Sequence, residues 1–123
     1  MGGERPALPG RRVLVVEDDR AVLDLLDGAL REEGYRVRRA EDGVEALEAI
    51  REQTPDLVIA DVHLPRLDGG QLVRRLRDEN VPVILLSGDP NWARTPGVAF
   101  VAKPFDLDHL LLVVARLLSV EGQ

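Results

Sequence analysis

The chain lacks cysteine altogether, which excludes both a disulfide framework and a metal site built from thiolates. It also lacks any apolar run that approaches the ~20 residues needed to span a membrane. A surplus of acidic residues gives a net charge of −6, which argues against a general affinity for nucleic acid. We therefore expect a cytoplasmic protein that binds neither nucleic acid nor a membrane.

The length of 123 residues fits a single domain with one core. An apolar share of 45% and a charged share of 31% are ordinary for a globular protein. Residues 1–10 contain three Gly and two Pro and have no apolar signal core. We interpret 1–10 as a flexible leader and 11–120 as the one domain.

Short apolar runs alternate along the chain with stretches of helical periodicity. Two of the runs have no polar alternation, which is typical of parallel strands buried on both faces. After the first run, Val22, Leu25 and Leu26 recur at the spacing of one helical face, and Gly34 stops that helix. Strands that alternate with helices imply βαβ units and a parallel sheet. The five predicted strands lie at 13–16, 35–40, 57–60, 81–86 and 98–101.

Acidic, hydroxyl and basic side chains directly follow four of these runs. In an open α/β sheet, ligands bind outside the carboxyl ends of the strands, so parallel neighbours would bring these side chains into one pocket. Carboxylates, a hydroxyl and an ammonium group together suit a divalent cation and a phosphoryl group. The candidate residues are Glu17, Asp18, Asp19, Asp61, Ser87 and Lys103.

The acids Glu17, Asp18 and Asp19 stand at a strand-to-helix turn, and two interpretations apply. A carboxylate at a helix start accepts hydrogen bonds from free backbone N–H groups, and Asp19 is the best candidate for that role. Capping leaves two further acids unexplained, although they repel each other. Hard oxygen ligands for Mg²⁺ would explain them.

Asp61 and His63 lie between an apolar run and a loop rich in turn residues. Asp61 is either a loop acid before a turn or a carboxylate nucleophile that forms an aspartyl phosphate. His63 is better read as a source of a backbone carbonyl than as an imidazole ligand, since no second His or Cys completes such a site.

Ser87 and Lys103 also have two readings each. A hydroxyl at a strand end commonly caps a local turn, and a lone lysine is normally a solvated surface charge. Lys103, however, stands between apolar neighbours and precedes Pro104, so its surroundings look buried. The Lys103–Pro104 bond is a candidate cis peptide in a tight turn.

Taken together, these residues resemble the receiver domain of two-component response regulators, of the single-domain, chemotaxis-regulator type. The resemblance covers roughly 11–119. It implies a flavodoxin-like, doubly wound sheet of five parallel strands in the order 2-1-3-4-5. Four motifs carry it: Val-Val-Glu17-Asp18-Asp19, Asp61-x-x-Leu-Pro65-x-x-Asp68-Gly69, Leu-Leu-Ser87-Gly88 and Lys103-Pro104-Phe105.

The resemblance also implies a role for each site residue. Asp61 corresponds to the phosphoacceptor, and Ser87 and Lys103 correspond to the residues that bind the phosphoryl oxygens. Phe100 occupies the position of the aromatic switch residue, which would respond together with Ser87. The implied cofactor is Mg²⁺, held by Asp18 and Asp61 directly, by Glu17 through water and by the backbone carbonyl of His63. The implied donor is a histidine kinase or a histidine phosphotransfer protein.

The sequence departs from the family between Ser87 and Lys103, which are only 16 positions apart. Pro90, Pro96 and Gly97 disfavour a regular helix there. We therefore expect the fourth helix of the family to be shortened or absent, with Trp92 covering the sheet in its place.

Two alternatives to a phosphorylated receiver follow from the same residues. One is a degenerate receiver that serves only as a protein-interaction scaffold. The other is a phosphatase with an Asp nucleophile, although such enzymes typically place a second Asp where this chain has His63. The phosphatase would be an enzyme, whereas we expect a receiver not to be one and only to assist its own phosphorylation and dephosphorylation.

The last helix is predicted to begin after Asp106 as its N-cap and to end near 119. Five consecutive apolar residues, 110–114, cannot all face the sheet. Either one or two of them are simply exposed, which is common, or they form a contact patch for a second copy of the chain or for an output domain. We favour the patch.

Overall fold

The fold alternates strands and helices throughout the part of the chain that the computed structural model describes, residues 10–63 and 69–121. The strands are β1 (Arg12–Val16), β2 (Arg36–Ala40), β3 (Leu57–Asp61), β4 (Val83–Ser87) and β5 (Ala99–Ala102). The helices are α1 (Arg20–Glu32), α2 (Gly43–Glu52), α3 (Gly69–Asp78) and α4 (Leu107–Glu121), and a 3-10 helix spans Pro90–Arg94. Most of the predicted leader, 1–9, lies outside the described residues.

All five strands are parallel, in the order β2-β1-β3-β4-β5. The flavodoxin-like, doubly wound arrangement is therefore confirmed. Alternate side chains of each central strand enter two separate cores, because successive residues of a strand face opposite sides. Leu14, Val58 and Leu85 pack in the core with α2 and α3, whereas Val15 and Ile84 pack with α1 and α4.

Two predicted features of the helix ends are confirmed. Asp19 accepts hydrogen bonds from the backbone N–H groups of Ala21 and Val22 at 3.0 and 3.3 Å, and so caps α1. Asp106 accepts one from the N–H of Asp108 at 3.0 Å, at the start of α4. Each carboxylate satisfies N–H groups that have no partner inside the helix.

The buried face of α1 differs from the prediction at Leu25. Leu25 is 50% exposed, whereas Leu23, which was not assigned to the face, is fully buried beside Leu26. The sequence allowed two adjoining apolar stripes on this helix, and the packing of α1 on the sheet selects between them. Strand β4 begins at Val83, two residues later than predicted. The N–H of Val81 donates to the carbonyl of Leu76 at 3.0 Å and so closes the turn that follows α3.

Between β4 and β5 the chain forms the short 3-10 helix and no α-helix, as expected from its prolines. Asp89 caps it by accepting from the N–H of Asn91 at 3.0 Å. Trp92 is half-buried and packs with Val98 against the core on the α2 and α3 side of the sheet. The prediction of a shortened segment is confirmed, and Trp92 packs against the core as expected.

A charged network joins α1 to the edge strand β2. Asp27 is buried and accepts hydrogen bonds from Arg31 and from Arg39, the latter at 2.9 Å. Burial alone would raise the pKa of Asp27, but the two guanidinium groups outweigh burial and lower it. Arg39 also bonds to Asp24 at 2.5 Å, so one strand residue holds two turns of α1.

The apolar run of α4 is largely absorbed by the core. Leu110, Leu111 and Val114 are buried and Val113 is half-buried, which leaves Leu112, at 44% exposure, as the one strongly exposed member of 110–114. Among the described residues, no helix is long and apolar enough to cross a membrane.

Candidate functional site

The candidate residues meet at one edge of the sheet because four strands end there. Glu17 directly follows β1, Asp61 ends β3, Ser87 ends β4 and Lys103 follows β5. Glu17, Asp61 and Ser87 are at most 7% exposed. Charged and polar side chains at this depth require partners. Lys103 and backbone N–H groups supply them.

Lys103 bridges two buried carboxylates. Its Nζ lies 2.8 Å from Oδ2 of Asp61 and 3.2 Å from Oε1 of Glu17. The backbone N–H of Lys103 donates to the carbonyl of Ser87 at 2.9 Å, which fixes the end of β5 against β4. The Lys103–Pro104 bond is cis, as the sequence indicated. Lys103 is the only lysine in the chain, a fact that the sequence reasoning did not use.

Three carboxylates form a cluster of potential metal ligands. One oxygen from each of Glu17, Asp18 and Asp61 lies within 4.8 Å of the others, and Asp18 is exposed while its two neighbours are buried. Carboxylate oxygens are the ligands that Mg²⁺ prefers, and an exposed side leaves room for the waters that it retains. The donor set therefore fits Mg²⁺.

The charges in this cluster perturb one another. Burial raises the pKa of Glu17, and the nearby charge of Asp61 raises it further, against the opposing effects of the Asp19 N–H and of Lys103. Burial would lower the pKa of Lys103, but its hydrogen bonds to Asp61 and Glu17 outweigh burial and raise it. The site thus holds a buried carboxyl group with a raised pKa beside an ammonium group whose pKa is also raised.

Ser87 is buried and already has one hydrogen bond. Its Oγ accepts from the backbone N–H of Asp89 at 2.9 Å. A hydroxyl can donate one hydrogen bond while it accepts others, so this contact leaves the donor of Ser87 available. Ser87 can therefore cap the local turn and still donate a hydrogen bond to a phosphoryl oxygen.

His63 contacts Asp61 through its backbone, and Phe100 lies on β5 in register with Leu85 of β4. The backbone N–H of His63 donates to Oδ1 of Asp61 at 2.9 Å, and its side chain is exposed. Phe100, on β5, is half-buried. The remainder of the Asp61 loop, 64–68, lies outside the described residues.

Sequence reasoning missed an apolar groove next to Lys103. Val22 and Leu25 of α1 face Phe105 and Leu107 across a space of about 540 Å³ that also touches Lys103. The signal was present in the two adjoining apolar stripes of α1, of which only one can enter the core.

Comparison with known proteins agrees with this geometry. A family model described as the response regulator receiver domain matches residues 13–115. The chain is 42% identical over 115 residues to "Response regulator MprA" of Mycobacterium sp. (strain KMS), which covers 87% of this chain and 50% of the relative. The protein of the same name from Mycobacterium leprae (strain TN) is 40% identical, with the same coverage. The chain thus spans about half the length of the curated relatives that it matches.

Solved structures give the same result. The receiver domain from the hybrid histidine kinase CckA is 39% identical and superposes with a TM-score of 0.76, covering 87% of this chain and 98% of that one. A putative response regulator from Chloroflexus aurantiacus J-10-fl is 35% identical with a TM-score of 0.80, covering 89% of this chain and 98% of that one.

Proposed function

The chain belongs to the response regulator receiver domain family, and we propose that it accepts a phosphoryl group on Asp61 from a histidine kinase or a histidine phosphotransfer protein. The proposed domain is 11–120. The observation that carries the proposal is the bridging of Asp61 and Glu17 by Lys103 at the carboxyl edge of the sheet. This arrangement places a nucleophile next to a fixed positive charge.

The transfer itself needs little covalent help from the protein. A carboxylate oxygen of Asp61 would attack the phosphorus of a phosphohistidine, and the P–N bond would break as the imidazole leaves with a proton. Charge spreads over three phosphoryl oxygens during transfer, so positioning and electrostatic stabilisation dominate. Lys103, already 2.8 Å from Asp61, would move its contact from the carboxylate to a phosphoryl oxygen.

The cofactor proposed for this site is Mg²⁺, which supplies positive charge to the phosphoryl oxygens when bound. Asp18 and Asp61 would hold it directly, Glu17 through water and His63 through its backbone carbonyl. The close approach of the three carboxylate oxygens supports this assignment.

The proposed response to phosphorylation begins at Ser87. Its free donor would bond a phosphoryl oxygen, and its accepted bond from Asp89 would carry the movement to the 3-10 helix. Phe100, the proposed switch residue, is half-buried on the neighbouring strand β5. The two rearrangements would together shift a two-state equilibrium.

Two surfaces are proposed for partners. The apolar groove of Val22, Leu25, Phe105 and Leu107 adjoins Lys103, so a phosphodonor protein seated there would reach Asp61. Leu112 on α4 is the proposed contact for a second copy or an output domain, though a single exposed residue makes a smaller patch than the sequence suggested. The cytoplasmic location stays a prediction.

Incubation with acetyl phosphate and Mg²⁺, followed by intact-mass measurement, tests the function. We expect one phosphoryl group per chain, acid-stable and alkali-labile, and its loss in Asp61→Asn. Asp78→Asn, at an exposed helical position, is the matched control and should be phosphorylated normally. Absence of any adduct would instead favour the scaffold, and continuous phosphate release from monoesters would favour the phosphatase.

A further inference from the structure

A second cavity lies at the amino ends of β1 and β2, the opposite edge of the sheet from Asp61. It is a cleft of about 220 Å³, open to solvent, between the sheet and the carboxyl-terminal half of α2. Ala49, Gln53 and Pro55 line it on the helix side. The space exists because α2 presents the short side chain of Ala49 to this part of the sheet, where a larger residue would fill the gap.

Three arginines line the sheet side of this cavity. Arg36 and Arg38 alternate along β2, and Arg12 pairs in register with Arg36 on β1. They share the sheet face of Leu14, which packs in the apolar core beneath α2. Arg36 and Arg38 are exposed and Arg12 is half-buried. The three guanidinium groups therefore rim a cleft that a ligand can enter from solvent.

The positive charge of these arginines is only partly compensated. Arg38 forms an ion pair with Glu52 at 2.8 Å. Within residues 10–63 and 69–121, the guanidinium groups of Arg12 and Arg36 have no carboxylate or hydrogen-bond partner. Asp56 accepts from the backbone N–H of Arg12 at 2.7 Å and forms an ion pair with Arg11 at 3.6 Å, so its charge is directed at Arg11. Like charges on directly neighbouring strand residues are destabilising. The carbonyl end of α2 favours cations nearby. Both side chains reach solvent, so an anion bound here would replace water at Arg12 and Arg36.

We propose that this cavity binds a small phosphate dianion, either inorganic phosphate or the terminal group of a phosphate monoester, at a site separate from Asp61. A guanidinium group can donate two parallel hydrogen bonds to two oxygens of one phosphate. The two unpaired guanidinium groups, of Arg12 and Arg36, together carry the positive charge that balances a dianion. The cleft volume is below the ~300 Å³ typical of pockets for drug-sized ligands, so only a small ligand fits. A phosphodiester, with one charge and two substituents, would fit less well.

Titration of the full chain with inorganic phosphate, followed by ¹⁵N–¹H NMR in EDTA at constant ionic strength, tests this proposal. We expect saturable shifts at the amides around Arg12, Arg36 and Gln53, with little change around Asp61. Arg36→Gln should weaken binding roughly tenfold or more, since it removes a charge-assisted hydrogen bond. Arg51→Gln, at an exposed position of α2 that does not line the cavity, should bind like the wild type.

Further arms separate the sources of phosphate and guard against misfolding. Glycerol 3-phosphate should bind at the same amides, and a short DNA duplex should not. If Arg36→Gln fails to fold, Arg12→Gln takes its place. Shifts spread over all exposed arginines, equal binding by Arg36→Gln, or binding of DNA alone would each overturn the proposal.

Discussion

Replacement of Lys103 by Met would remove the ammonium that lies between two buried carboxylates while keeping an unbranched stem of similar length. Asp61 and Glu17 would then face each other without compensation, at 7% and 1% exposure. We expect the folded state to lose stability at neutral pH in the absence of divalent cations, because it must either keep two repelling charges or take up a proton.

The size of the loss follows from burial and distance. Removing one partner of a buried ion pair costs about 3–5 kcal/mol. The Lys103 side chain is 28% exposed, so water screens part of the interaction and we reduce the expected cost to about 2–3 kcal/mol. The loss should shrink as the pH falls, because Glu17 already has a raised pKa and would take up the proton that relieves the repulsion.

Urea unfolding in EDTA measures this directly. Lys103→Met, Asp61→Asn and the double variant form a thermodynamic cycle, with Arg116→Met, at an exposed position of α4, as the control for a lost surface charge. We expect Asp61→Asn to remove more than half of the cost of Lys103→Met. A Lys103→Met variant within about 0.5 kcal/mol of the wild type, the usual range of surface substitutions, would show that Lys103 does not stabilise the two buried carboxylates.

Three further predictions concern other residues. Asp27→Asn should lower the free energy of unfolding by about 1–2 kcal/mol, measured with urea. The stabilisation by the Asp27 carboxylate is present above the ordinary carboxyl pKa and is lost as the pH falls through its lowered pKa in the folded state. An unchanged urea midpoint at pH 7 would show that the network of Asp27 with Arg31 and Arg39 does not stabilise the fold. Glu17→Gln should stabilise the cation-free protein increasingly as the pH rises above 4.5, the ordinary pKa of a glutamate side chain. The pKa of Glu17 is raised in the folded state, so the wild type loses stability as the pH rises through this range. Thermal melts at several pH values measure whether the difference in stability grows with pH. Trp92 fluorescence should change when a beryllofluoride mimic binds with Mg²⁺ and should change less in Ser87→Ala; an unaltered wild-type spectrum at proven saturation would mean that the 3-10 helix is uncoupled from the site.

The central strands and the site were predictable because their signals are local. Apolar runs without polar alternation identify buried parallel strands, and the acids at their ends identify the edge where the site lies. The prolines at 90 and 96 likewise excluded a long helix by backbone chemistry alone. The order of the strands rested on resemblance to a family, since periodicity does not decide which strands are neighbours.

Tertiary packing decided what the sequence left open. Leu23 and Leu25 are equally apolar, yet only Leu23 enters the core. The apolar run 110–114 of α4 suggested a contact patch. In the structure its residues are buried or half-buried, except for Leu112, which is exposed. The cavity beside Arg36 depends on a gap beneath Ala49, and gaps between elements leave no mark in the sequence.

The central claim is that Asp61 is the residue that carries the phosphoryl group. Borohydride reduces an aspartyl phosphate to homoserine, so brief treatment of the phosphorylated chain followed by tandem mass spectrometry locates the modified residue. We expect homoserine at position 61 alone, dependent on both the phosphodonor and Mg²⁺. Homoserine at Asp18 or Asp19, or a phosphorylated chain that yields none at 61, would contradict it.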